Sequence, residues 1–182
     1  MMIAMAYRES PKQNEEPILA SLRQPFAIHG HELRTIALNP KCDDNELEKQ
    51  LNKKVSSLLH HSQWILGGFS LGARIAAQLS PKVHPSGLLY LGFPFYHCRK
   101  PAQALGLKHL QNTSNIETLI VQGEHDPYGT KEDLEKSGFP DTLKISWIKG
   151  ANHRFQSKAI QHKESIASLC VEFAQSIERQ AI

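Results

Sequence analysis

Apolar and polar positions change period repeatedly along the chain. Short unbroken apolar runs alternate with longer stretches in which apolar residues recur every three or four positions. The runs at 2–7, 33–38, 64–66, 87–91, 116–122 and 143–148 predict strands. Between them lie helical patterns. Pro17 suits a first helical turn, with Ile18, Leu19 and Leu22 behind it. Pro25 either ends that helix near Arg23 or kinks it on to His29, with Gly30 as the stop. Asp43 opens the next helix, with Glu46 as its capping-box partner and Leu47, Leu51, Val55 and Leu58 as its buried stripe. Leu71, Ile75, Ala76 and Leu79 follow helical spacing until Ser80-Pro81 is expected to stop them. Thr130 and Asp133 frame a further helix start, and Ile160, Ile166, Leu169, Phe173 and Ile177 share one face of the closing helix.

Strands that alternate with helices and are apolar on both faces define a parallel sheet covered on each side. The expected class is α/β, a three-layer sandwich with a mostly parallel sheet of about six strands. No repeat or linker divides residues 1–182, so one domain is expected. Residues 92–115 are the least regular, broken by Pro94, Pro101 and Gly106. Only about 25 residues separate the strand ending at Leu91 from the one beginning at Ile116, too few for a large helical lid.

Composition narrows the function classes. The hydrophobic content is 40%, the charged content 21% and the net charge +3, with lysines and arginines scattered. That pattern calls for neither nucleic acid nor a membrane surface as partner. Three well-separated cysteines, Cys42, Cys98 and Cys170, fit reduced thiols. Met1 to Tyr7 is too short for a signal-peptide core, and no run reaches transmembrane length. A cytoplasmic, soluble protein is expected.

In sheets of this kind, sites form beyond the strand carboxyl ends, and three of those ends carry reactive side chains. Gly68-Phe69-Ser70-Leu71-Gly72 lies between an apolar run and a helical pattern. This fits a nucleophile elbow, in which a strained turn lifts a serine hydroxyl off the sheet edge. Asp126 follows a later strand and His153 the last one. A serine hydroxyl needs a base, histidine titrates near neutral pH, and a carboxylate on the other ring nitrogen fixes its tautomer. The chain order Ser70, Asp126, His153 is the one this architecture uses.

Each residue also has a plainer reading. Asp126-Pro127 can open a turn, His153 is one of ten histidines, and Glu124 and Asp133 are alternative acids. His97-Cys98 as a thiolate pair is disfavoured because adjacent side chains of an extended segment point apart. His29, His31, His60 and His61 lack the acid or cysteine pattern that would complete a metal site and read as solvated helix-end residues. Arg74, one turn after Ser70, reads as an anchor for a neighbouring loop. Neither metal nor cofactor is expected.

Four segments carry a family resemblance: Gly67 to Arg74, Leu91 to Phe95 with Lys100-Pro101, Val121 to Thr130, and Gly150 to Phe155. Together they resemble a small α/β-hydrolase family whose relatives include the dienelactone hydrolases and a hydrolase-like subunit of a eukaryotic histone-acetyltransferase complex. The resemblance implies an α/β-hydrolase fold with Ser70 as nucleophile, Asp126 as acid and His153 as base. Such proteins usually carry a His-Gly pair that supplies the second oxyanion donor. Arg8-Glu9-Ser10 stands there instead, so the expected donors are the N–H groups of Leu71 and of Arg8 or Glu9.

Two functions follow. The first is a serine hydrolase that cleaves a small ester or thioester through an acyl-enzyme, with Phe93, Phe95 and Tyr96 walling a shallow site. Core packing beneath the loop is the other reading of those aromatics. The second function is a non-catalytic member of the fold that binds a partner or small ligand, motivated by the missing His-Gly pair.

Overall fold

In the computed structural model, residues 1–97, 100–104, 106–111, 113, 115–136, 144–157 and 162–180 are described. The first strand, β1 (Met2–Arg8), shows how the sequence builds the core. Met2, Ala4 and Ala6 join one apolar cluster, while Ile3, Met5 and Tyr7 join the other. Side chains of period two feed both faces of the sheet, so the strand must be apolar throughout. Leu88 and Tyr90 against Leu89 and Leu91 repeat the division in β4 (Gly87–Leu91).

The remaining strands of the main sheet are β2 (Glu32–Leu38), β3 (Trp64–Phe69), β7 (Thr118–Gly123) and β8 (Lys144–Ile148). All neighbours pair in parallel in the order β2-β1-β3-β4-β7-β8. Helices α1 (Pro17–Ile28) and α6 (Lys163–Arg179) cover one face, and α2 (Asp44–Val55) and α3 (Leu71–Val83) the other. One turn of 3₁₀ helix, Ser56–Leu58, extends α2. The chain steps outward from β1 to β2, then returns to place β3 on the opposite side of β1. That reversal makes the carboxyl ends of β1 and β3 the topological switch point, where open α/β sheets bind their ligands.

Pro25 lies inside α1, which continues to Ile28. Gly30, at φ +74, then lets its own N–H reach Ala27 O and the His31 N–H reach Phe26 O. Asp43 caps α2 by accepting the Glu46 N–H at 2.9 Å. Pro81 does not stop α3, contrary to the expectation from sequence. The Ser80 hydroxyl donates to Ala77 O at 3.0 Å, supplying the bond that the missing Pro81 N–H cannot, and the helix ends two residues later.

The irregular stretch after β4 holds a two-stranded antiparallel hairpin, β5 (Tyr96–His97) with β6 (Lys100–Ala104), and a short helix, α4 (Leu107–Gln111). The short helix α5 (Lys131–Lys136) follows Thr130, whose carbonyl accepts the Leu134 N–H. Cys98 and Ile160 lie outside the described residues. No helix among the described residues is long and apolar enough to cross a membrane.

Candidate active site

Ser70 sits between β3 and α3 with φ 54 and ψ −117, a conformation that costs a non-glycine residue about 1–3 kcal/mol. The flanking glycines make the turn possible. A Cβ on Gly68 would lie 2.4 Å from the Ala6 carbonyl oxygen, and one on Gly72 only 2.0 Å from the same atom. β1 therefore packs directly against the elbow, and no side chain fits at position 68 or 72.

The other two strand ends converge on the serine. The loops after β7 and β8 are joined by backbone bonds from Glu124 N to Ile148 O and from His125 N to Ala151 O. Glu124, an alternative acid by sequence, instead accepts the Gly150 N–H at 2.9 Å and helps fasten the two loops. The side chain of Asp133 lies outside the described residues. Asn152 shapes the turn around His153 by accepting the N–H groups of Arg154 and Gln156. The buried Phe155, at φ 58, anchors its far side.

His153 Nε2 lies 2.9 Å from Ser70 Oγ, and His153 Nδ1 lies 2.7 Å from Asp126 Oδ2. Asp126 is fully buried and also accepts the Tyr128 N–H and the Gln122 Nε2–H, each at 2.9 Å. With its Nδ1 proton committed to Asp126, the imidazole presents Nε2 as acceptor to the serine hydroxyl. The rings of Phe69 and Tyr128 lie 5.1 and 4.7 Å from that of His153 and fix its plane. Phe69, Tyr128, Gln122 and Asn152 were missed from the sequence. Their proximity to motif residues was the one signal pointing to them.

Of the two N-terminal oxyanion candidates, Glu9 is excluded, because its N–H donates to Leu38 O at 2.9 Å and so faces β2. Successive N–H groups of a strand point to opposite sides. The Arg8 N–H therefore faces β3, whose pairing with β1 ends at Ala6 and Gly68. Leu71 is the first residue of α3, where the N–H groups have no intrahelical partner.

Phe93 and Phe95 correct a second expectation. Both are fully buried in the cluster beneath the loop, with ring centroids 5.1 Å apart, and they form core rather than an open wall. Tyr96 is half-buried against the same cluster. His31 is also buried, not solvated. Arg74 pairs through both terminal guanidinium nitrogens with Asp44 and fastens the start of α3 to the start of α2. Among the described residues no group of three or more His, Cys, Asp or Glu side chains is arranged to hold a metal.

A parallel six-stranded sheet sandwiched by helices, with a serine at a strained β3–α3 turn, is the α/β-hydrolase architecture. A family model described as an alpha/beta hydrolase domain matches residues 19–180, and the chain belongs to that family. No curated protein matches it in sequence. Solved structures with the same fold include Est1E from Butyrivibrio proteoclasticus, 11% identical over 98% of this chain and 88% of that one, with a TM-score of 0.77. An alpha-beta serine hydrolase homologue from Coxiella burnetii is 16% identical over 94% and 83%, with a TM-score of 0.73. A serine hydrolase without lid from Xanthomonas campestris is 12% identical over 98% and 82%, with a TM-score of 0.63.

Proposed function

We propose that this α/β hydrolase is a serine hydrolase that cleaves a small ester or thioester. The observation that carries the proposal is the single imidazole bridging Ser70 Oγ and buried Asp126 at 2.9 and 2.7 Å. Ser70 Oγ attacks the carbonyl carbon while His153 Nε2 takes its proton. The oxyanion that forms accepts the N–H groups of Leu71 and Arg8. Collapse expels the alcohol or thiol, which leaves with the proton from His153, and the acyl group stays on Ser70. Water then attacks with His153 again as base, and the carboxylic acid departs.

The four segments that resemble a small α/β-hydrolase family and the likeness in fold to proteins described as serine hydrolases support the same chemistry. The whole chain acts as one domain in this reading, and the substrate meets a half-exposed serine without a large lid above it. The test is turnover of short-chain p-nitrophenyl esters and acyl thioesters by the purified protein and by Ser70→Ala. Hydrolysis that falls at least about 1,000-fold in the variant supports the proposal. Equal rates in the two proteins overturn it.

A further inference from the structure

We infer that Gln122 is a positioning residue for the proposed hydrolysis: its side-chain amide locks the Asp126 carboxyl group in the rotation that points Oδ2 at His153. Gln122 is the penultimate residue of β7 and is fully buried. Period two puts it on the same face as Ile120, which belongs to one apolar cluster with Tyr90 and Phe93. An amide in that setting needs a reason. The pairing of β4 with β7 ends at Leu91 and Val121. Past that point Gln122 Nε2 donates to the Phe93 carbonyl at 3.2 Å and to Asp126 Oδ2 at 2.9 Å. One side chain thereby fastens the acid to the loop after β4.

The bonds around the amide show what it does. The Tyr128 N–H donates to Asp126 Oδ1, and a contact at one oxygen leaves the carboxyl group able to turn about its last torsion, which has broad minima. Gln122 adds a contact at Oδ2, the oxygen that lies 2.7 Å from His153 Nδ1. With both oxygens held, Oδ2 is in place whichever way the imidazole moves during proton transfer. Both atoms that meet Nε2 are acceptors, so the amide has one satisfied orientation, and its Oε1 has no partner among the described residues. The neighbours do not depend on it for satisfaction. Phe93 O also accepts the Phe95 N–H at 3.1 Å, and Asp126 keeps Tyr128 and His153. An apolar side chain of the same length would orphan neither group and would remove a buried unpaired oxygen. A buried amide that breaks the local packing rule and spends both N–H bonds on the two loops beside Ser70 serves the site rather than the fold.

This inference rests on the hydrolase reading, and two variants with two readouts keep them apart. Gln122→Met keeps the length and removes the donor, while Gln122→Glu keeps the shape and donates only while its carboxyl is protonated. On p-nitrophenyl acetate, Gln122→Met should lower kcat at least about tenfold with KM within about twofold, since a displacement of about 1 Å can cost about 100-fold. Its urea midpoint should not fall. Gln122→Glu should gain at least about fivefold relative to the parent between about pH 8 and about pH 6, and it decides the matter should Gln122→Met not fold. A smaller loss in Gln122→Met, a loss that comes through KM or the midpoint, or a Gln122→Glu that follows the parent at every pH overturns the positioning role. Turnover that disappears in Ser70→Ala still upholds the hydrolase in that case. The downfield proton NMR signal of His153 Nδ1–H, identified by its loss in His153→Ala, reads the contact without turnover. Its loss in folded Gln122→Met, in a protein that cleaves no ester, upholds the positioning role and sinks the hydrolase reading. A signal that is unchanged in Gln122→Met, in such a protein, overturns both.

Discussion

His153 Nδ1 lies 2.7 Å from Oδ2 of Asp126, a carboxylate with no exposed surface. In the proposed mechanism this contact sets which imidazole nitrogen carries the proton and so which one acts on Ser70. Asp126→Asn keeps the shape and offers an amide in place of the acceptor, which favours the wrong tautomer. The expected loss in kcat is about 10,000-fold with the fold intact, read from steady-state kinetics beside a circular dichroism spectrum. A loss under tenfold would mean that the carboxylate does not orient the base.

Phe93 and Phe95 test the reassignment from site wall to core. Truncating Phe93 to Ala should cost about 3–5 kcal/mol in urea unfolding, because its ring is enclosed by Tyr90 and Phe95 at centroid distances of 5.3 and 5.1 Å. The KM of the folded fraction should stay within about twofold of the parent. A raised KM at unchanged stability would return the ring to the substrate.

The Gly72 contact tests the elbow's geometry independently of chemistry. Gly72→Ala places a methyl group against the Ala6 carbonyl, and β1 must move to admit it. The cost should be about 1–3 kcal/mol in stability, with activity falling if the Arg8 N–H is the second oxyanion donor as proposed. Unchanged melting and activity would show that β1 does not brace the turn.

His31 gives the fold a pH dependence of known sign. Its ring packs edge-on to Phe26, neither nitrogen has a hydrogen-bond partner among the described residues, and burial holds its pKa below the ordinary histidine value despite Glu178 Oε1 3.5 Å from Nδ1. The unfolded chain therefore binds a proton that the folded chain resists. The contribution of His31 is complete above the unfolded histidine pKa of about 6.5 and is lost as pH falls towards the lowered folded value. His31→Phe should flatten the decline in stability between about pH 7 and pH 5, measured by denaturant unfolding at several pH values. An unchanged slope would remove His31 from the acid sensitivity.

The layout was legible in the sequence because the four inner strands, β1, β3, β4 and β7, are buried on both faces and read as apolar runs, while the edge strands β2 and β8 keep enough apolar positions to be recognised. The elbow glycines and the strand-end positions of Ser70, Asp126 and His153 were visible for the same reason. Phe93 and Phe95 were not placed, since an aromatic in an irregular loop has no period to show which side it faces. Pro81 misled because the compensating bond comes from the Ser80 hydroxyl, which propensity alone does not reveal. Arg8 could be chosen over Glu9 only once the register of β1 with β2 was fixed by the Leu38 carbonyl.

The most direct measurement is labelling of the protein with a fluorophosphonate, followed by intact mass and peptide mapping. An assembled Ser70–His153–Asp126 chain predicts a single stoichiometric adduct on Ser70 that is absent in Ser70→Ala and much slower in His153→Ala. A folded protein that takes up no adduct, or takes it up on another residue, would contradict the account.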